Sequence, residues 1–367
     1  MKTMVLIISF LFLIAVITWF NNMRFTIDGA TGTTLFGVLL ILSWLQPYME
    51  PLFLFILGCV SLYYCCNALI DASILLSQKL KLSPIIIGAT IIAIGTSLPE
   101  LLVSLYSTFF IEDPDAASSI IIGNVLGSNI ANVALVLGFC SFVYKIIFES
   151  EILKDLLFIL ALGLYAIICL YYEINITYEH GIILLFLFLC YLCYLVINNK
   201  IDESEDNDVS PNILFVLFVT LISIIGLGIG TDLVVKNAIN ISTLLGFKEL
   251  TIGLTIIALG TSLPELFTSI AAMKKKNYSL LIGNIIGSNV INIIFVLGFS
   301  ALLRDGGISI SNDDISPFIP YIAIAFIVSH LLFIISYSFQ KSMSRFMGLL
   351  LLFMYSFFIY NLIKLSV

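Results

Sequence analysis

Long apolar runs separated by short polar breaks fill this chain, and most runs have the length that crosses a bilayer. A spanning helix needs about 20 predominantly apolar residues. The pattern predicts helices over about 52–78, 84–110, 118–142, 153–172 and 179–197. A polar break, NNKIDESEDNDVSP at 198–211, follows, and then a second set over about 212–240, 248–273, 278–302, 317–337 and 345–364. The expected fold class is an all-α polytopic membrane protein with a ten-helix core. Its first half covers 51–197, its short acidic linker 198–211, and its second half 212–367. An odd number of helices per half makes the second half enter the membrane from the opposite side. That is the inverted-repeat plan of many secondary transporters, and their helices are often broken at the binding site.

Residues 1–50 stand outside this core as an extra hydrophobic segment. Met1–Phe20 has one Lys followed by some 17 apolar residues and no convincing cleavage site, which favours a retained span over a signal sequence. Residues 21–33 (NNMRFTIDGATGT) are expected as polar loop, and 34–46 as a half-helix, an interfacial segment or a short crossing.

Lys and Arg orient the core. With the linker cytoplasmic, that side holds Lys79, Lys81, Lys145, Lys154, Lys200, Lys274, Lys275, Lys276, Lys341 and Arg345, and the other holds Arg24, Lys248, Arg304 and Lys364. Ten against four obeys the positive-inside rule. A multi-pass protein of the cell membrane is the expectation, with the lipid bilayer as its surroundings.

Composition narrows the function classes. The chain is 60% apolar and 11% charged, against about 25% charged in soluble domains. A net charge of −7, with no basic arm or zinc-finger spacing, speaks against nucleic-acid binding. The seven cysteines all lie in apolar segments; Cys190 and Cys193 read as helix-packing residues rather than a redox or zinc pair. His180 and His330 stand alone and receive no role. The linker run DESEDND lacks the Gly and ligand spacing of a calcium loop and reads as a solvated connector. No protein partner or cofactor is implied, and a monomeric unit is expected.

The candidate chemistry lies in a duplicated motif. Residues 88–104, GATIIAIGTSLPELLVS, return at 253–269 as GLTIIALGTSLPELFTS, identical at 13 of 17 positions. Each copy is trailed by a second piece, GNVLGSNIAN at 123–132 and GNIIGSNVIN at 283–292. An ionised carboxylate at mid-bilayer costs at least about 2.5–3.5 kcal/mol, so Glu100 and Glu265 need a reason to be there. Neither motif helix carries a Lys or Arg in its core, and Lys236 is the only basic residue near a neighbouring span. A cation from outside the protein is the simpler partner. Pro99 and Pro264 lack an N–H and clash with the carbonyls of Gly95 and Gly260. The expected result is an unwound turn with free carbonyls over 93–97 and 258–262, tolerated at membrane depth only where it lines a cavity or is buried in protein. Thr96, Ser97, Thr261 and Ser262 add hydroxyls. Ser128 with Asn132, and Ser288 with Asn292, share one helix face at i, i+4. Gly123, Gly127, Gly283 and Gly287 should allow close helix approach. All of these donors are oxygen, which suits Ca²⁺ or Na⁺ rather than zinc or copper.

The motifs resemble the two α-repeats of the cation/calcium exchanger superfamily, and within it the Na⁺/Ca²⁺ exchanger branch and its small prokaryotic members. The resemblance runs from about Pro51 to the C-terminus. It implies a ten-helix core with broken or tilted helices around a central set of ion sites. By position, Glu100 and Glu265 with the carbonyls of Thr96 and Thr261 would hold Ca²⁺. The Ala93 and Ala258 carbonyls with Ser97, Ser128, Ser262 and Ser288 would serve flanking Na⁺, and Asn132 and Asn292 would complete the centre. Many relatives carry an Asp at one of the two Asn positions; here both are Asn. The resemblance implies a Na⁺/Ca²⁺ antiporter working by alternating access. An H⁺-coupled Ca²⁺ or other divalent antiporter on the same fold is the alternative, followed by a cation channel or a vestigial scaffold. An intramembrane enzyme is not expected, since His–metal spacing, a Ser/His pair and a catalytic Asp pair are all missing.

Overall fold

A computed structural model describes residues 29–149, 151–198, 212–244, 258–308 and 316–366, with side chains from residue 49 onward. The extra segment at 1–28, the linker at 199–211 and the start of the second motif at 245–257 lie outside the described residues. The remainder is almost entirely helical. Helix α1 is Gly29–Leu80, α2 Pro84–Thr96, α3 Leu98–Phe110, α4 Pro114–Val143, α5 Leu153–Tyr171 and α6 Tyr178–Asn198. After the linker come α7 Ile213–Leu244, α8 Ala258–Thr261, α9 Leu263–Lys274, α10 Tyr278–Leu303, α11 Ile319–Gln340 and α12 Arg345–Ser366. Among the described residues eight helices are long and apolar enough to span, and the bent α2–α3 pair makes a ninth. The tenth expected span corresponds to α8–α9, whose beginning falls outside the described residues.

The N-terminal expectation needs correction. Residues 29–33 are helical rather than loop, and 34–46 is no separate element: the helix runs unbroken through Pro47 and Pro51 into the first core span. Backbone groups in an apolar surrounding find hydrogen-bond partners only within the helix, so two prolines do not suffice to end it.

The helices sort into an inner and an outer set. In α10, 94% of the most apolar stretch is buried, and in α4 72%, against 28% for α1 and α7 and 22% for α6. The inner helices α4 and α10 therefore bury most of their side chains, including polar ones, while α1, α6 and α7 present Phe53, Tyr64, Phe186, Leu214 and Phe218 to lipid. Close approach is set by glycine. A Cβ on Gly283 would lie 2.3 Å from the Ile85 carbonyl oxygen, and one on Gly88 2.6 Å from that of Leu280, so α2 and α10 touch backbone to backbone. The expected close approach thus holds for Gly283 and Gly287. A Cβ on Gly123 or Gly127 would meet no atom within 4 Å among the described residues. The outer helices α1 and α7 pair through Gly58 and Gly230, with the Ser61 hydroxyl donating to the Gly226 carbonyl at 3.1 Å.

Among the described residues the loops make two sets of contacts. At one end, β1 (Ile146–Ile147) pairs with β2 (Ser342–Met343), Ser279 donates to Glu149, and Lys275 pairs with Asp71. At the other, Arg304 donates to the carbonyls of Ser107, Thr108, Ile111 and Asp113, and Ile176 bridges to Ile308. The Lys-rich loops share the first end.

Candidate functional site

The site grows from a break in the first motif helix. Ser97 (φ −84°, ψ 8°) separates α2 from α3, and the two pieces meet at a 45° bend. Pro99 sits in the first turn of α3, where a missing N–H costs nothing. The Ser97 N–H still reaches the Ala93 carbonyl and the Leu101 N–H the Ser97 carbonyl, while the Gly95 carbonyl faces Pro99, which has no N–H to give. The expected run of free carbonyls is therefore shorter than 93–97. The Ala93 carbonyl is bonded by the Ser97 N–H at 3.0 Å and approached by the Thr96 hydroxyl at 3.4 Å. The second copy repeats the break at Ser262 (φ −86°, ψ 5°), between α8 and α9. Ala258 opens α8 at the edge of the described residues.

Both breaks face the inner helices. Thr96, Ser97, Glu100, Ser128, Asn132, Thr261, Ser262, Glu265, Ser288, Asn292 and Ala93 are all buried. Asn132 and Asn292 lie in widened π-helical turns, Ala131–Leu137 of α4 and Ile291–Val296 of α10, a distortion common at functional sites. A third π turn, Gly88–Ile92, precedes the break in α2.

Each carboxylate is held from both motif copies. Ser128 donates to Glu100 Oε1 at 3.3 Å, and Thr261 of the other copy hydrogen-bonds the same carboxyl. Glu265 Oε1 accepts from Ser97 at 3.2 Å and Ser288 at 3.4 Å, and Thr96 reaches the same group. The second oxygen of each, Oε2, is buried with no partner among the described residues. So are Asn132 Oδ1, Ser262 Oγ and both polar atoms of Asn292. Buried polar atoms are nearly always paired, so this many orphaned oxygens in one place point to a ligand that supplies positive charge. Among the described residues no three His, Cys, Asp or Glu side chains come together as a metal cluster. The donor set is two carboxylates plus neutral oxygens, which fits Ca²⁺ or Na⁺. Lys236 does not compete for the carboxylates: it pairs with the exposed Asp232 one turn away.

A supporting layer lies behind these groups, and sequence reasoning missed it. Asn124 donates to the Glu100 backbone carbonyl at 2.8 Å and to Ser104 at 3.0 Å. Asn284, its counterpart, accepts from Thr96 at 3.1 Å and donates to Thr268 at 3.1 Å. Both stand one turn before Ser128 and Ser288, so the i, i+4, i+8 spacing of the G-N-x-x-G-S-N pieces already carried the signal. Asn129 and Asn289 form a second pair, in which Asn129 donates to the Asn289 backbone carbonyl at 3.2 Å.

Comparison with known proteins agrees with this architecture. The family described as sodium/calcium exchanger protein matches residues 50–197 and 215–364. The chain belongs to that family. Among relatives, it is 36% identical over 266 residues to inner membrane protein YrbG of Escherichia coli, covering 70% of this chain and 80% of that protein. It is 29% identical over 291 residues to the sodium/calcium exchanger MaX1 of Methanosarcina acetivorans, covering 67% and 81%. A solved structure of the sodium-calcium exchanger NCX_Mj superposes with a TM-score of 0.73 at 32% identity, covering 85% of this chain and 99% of that one. This chain is accordingly an integral multi-pass membrane protein of the cation/calcium exchanger superfamily, built for ion antiport.

Proposed function

We propose that this chain exchanges Na⁺ for Ca²⁺ by alternating access, with both ions competing for one site centred on Glu100 and Glu265. The observation that carries this is the pair of buried carboxylates, each with one oxygen hydrogen-bonded and the other without a partner, amid further orphaned oxygens. Thr96, Thr261, Ser97, Ser262, Ser128, Ser288, Asn132 and Asn292 with the Ala93 and Ala258 carbonyls complete the donor set. Two carboxylates balance one Ca²⁺ or two Na⁺. A third Na⁺ would leave a net +1, since neither Asn132 nor Asn292 is an Asp. The two halves are inverted repeats joined by a cytoplasmic linker, in a monomeric unit of the cell membrane, without enzymatic activity.

The α1–α7 pair is the moving part in this reading. It lies across both breaks: a Cβ on Gly95 would meet Ile224 at 2.7 Å, and one on Gly260 would meet Val235 at 2.3 Å. Sliding α7 changes what covers each break, and so which side the site opens to. The names of MaX1 and NCX_Mj, both sodium/calcium exchangers, support the Na⁺ coupling.

The test is ⁴⁵Ca²⁺ uptake into proteoliposomes loaded with Na⁺, against K⁺ or choline loading at matched pH. Uptake is expected from Na⁺-loaded vesicles only, and to vanish in Glu265→Gln. Uptake that ignores Na⁺ and follows a pH gradient would replace Na⁺ coupling with H⁺ coupling.

A further inference from the structure

A lone histidine, fully buried and far from both motifs in sequence, closes a hydrogen-bond chain that ends in the site. His330 lies on α11 with 1% of its surface exposed. Its Nδ1 is 2.8 Å from the Phe326 carbonyl, which can only accept, so Nδ1 carries the proton. The Ser329 hydroxyl also lies 3.2 Å from Nδ1 and itself donates to the Phe326 carbonyl. With the proton on Nδ1, the neutral ring leaves Nε2 as an acceptor, 3.3 Å from the Asn289 Nδ2. That orients the Asn289 amide: its N–H donates to the histidine, and its Oδ1 accepts from the Asn132 Nδ2 at 3.0 Å. The Asn132 amide is thereby oriented in turn. Its N–H₂ is engaged, and its Oδ1 is the buried atom without a partner.

An amide flip exchanges an oxygen that attracts a cation for an N–H₂ that repels it. The three-bond chain from the Phe326 carbonyl removes that freedom at Asn132. At Asn292, the matching position in the second copy, both polar atoms lack partners and nothing of this kind is present among the described residues. The histidine is itself fixed. Its ring stacks on Phe326 with centroids 4.0 Å apart, and Phe326 fills the space over Gly163, where a Cβ would lie 1.9 Å from the phenyl ring.

We propose that His330 is a positioning residue for cation coordination, holding Asn132 through Asn289 so that its carbonyl oxygen faces the ion. This rests on the reading of Asn132 as a ligand. Outer groups that orient a metal ligand are commonly worth 10–100-fold in affinity.

The experiment measures the Ca²⁺ KM and maximal rate in Na⁺-loaded proteoliposomes for wild type, His330→Leu, His330→Gln, Asn289→Leu, the Leu/Leu double variant and Asn132→Leu. His330→Leu is expected to raise the KM about tenfold or more. His330→Gln, whose side-chain oxygen reaches the place of Nε2, should stay within about threefold of wild type. The double variant should be no worse than the worse single, because both break one chain. A lower maximal rate at unchanged KM in His330→Leu would be a packing defect and would overturn the proposal. If His330→Leu does not fold by size-exclusion, unchanged KM in Asn289→Leu overturns it equally. Asn132→Leu separates the two readings. Unchanged KM there removes Asn132 from the ligand set, and the relay with it. Raised KM there, with both His330→Leu and Asn289→Leu at the wild-type value, overturns the relay alone.

Discussion

Gly287→Ala adds one methyl group where two backbones touch, and its consequence can be worked out from distances. The new Cβ would stand 2.4 Å from the Ala89 carbonyl oxygen, 2.5 Å from its Cα and 2.7 Å from its carbonyl carbon. None of these atoms belongs to a flexible side chain, so the strain must be relieved by moving α10 away from α2. Ordinary contact begins near 3.4 Å, which calls for a separation of about 1 Å. The neighbouring Ser288 hydroxyl is 3.3 Å from Thr96 and 3.4 Å from Glu265, so a shift of that size takes both bonds past hydrogen-bonding range. Misplacing a functional group by about 1 Å can cost on the order of 100-fold. Gly287→Ala should therefore raise the KM for Ca²⁺ by one to two orders of magnitude in ⁴⁵Ca²⁺ uptake. Gly228→Ala, on the lipid-facing side of α7 with no atom near its added Cβ, is the control and should match wild type. A Gly287→Ala protein that is monodisperse and within threefold of the wild-type KM would refute the argument that this contact sets the site's geometry.

Three further outcomes follow from other parts of the molecule. Glu265→Gln keeps the shape of the side chain but removes one charge; because Coulomb energy scales with ion charge, Ca²⁺ binding should weaken by many-fold more than binding of a single Na⁺, checked by competition titration. Arg304→Met strips a four-carbonyl clamp from the end of α3 and should cost about 1.5–3 kcal/mol, read as a lower thermal midpoint in detergent, with the Ca²⁺ KM little changed. The Tyr337 hydroxyl first, then Lys341, holds the exposed Glu151 carboxyl below the usual glutamate range. A lowered carboxylate stabilises the fold above its unfolded pKa and loses that contribution as pH falls through its folded value. Glu151→Gln should thus lower stability slightly at neutral pH and converge on wild type as pH falls below about 4.5; a wild-type and a variant curve that stay parallel through the acid range would sink this assignment.

The spanning pattern was readable because lipid demands long uninterrupted apolar runs, and the breaks were readable because Gly, Pro and Glu have no bland place inside one. Ser97 and Ser262 lie where the G-T-S-x-P-E pattern places the interruption. The extent of free carbonyl was overestimated, because proline removes only its own donor while the Ser97 N–H still reaches Ala93. The helix from Gly29 was missed because its first residues, GATGT, have poor helix propensity and two prolines follow, whereas the apolar surroundings enforce backbone pairing. His330 was unreadable for a different reason. It stands 41 residues from Asn289, on a helix with no repeat signature, and only the packing of α11 against α4 and α5 brings it within reach of Asn289.

The crosswise bonding explains why such costly groups can persist in a membrane core. Glu100 sits on α3 but is completed by Thr261 of the second copy, and Glu265 sits on α9 but is completed by Ser97 and Thr96 of the first. Neither carboxylate can be satisfied within its own half, so the bonds that lower the cost of burying them form only when the halves dock. The same docking surface is held by glycine contacts too close to admit a side chain. Stability of the interface and geometry of the site therefore rest on the same few residues. Yet the coupling stops one oxygen short: each carboxylate keeps an unpaired Oε2, where an ordinary structural pair would have found a second donor. Full pairing within the protein would make the site stable without a cation and remove the drive to bind one. Partial pairing holds the groups in place and reserves the remaining charge for the ion.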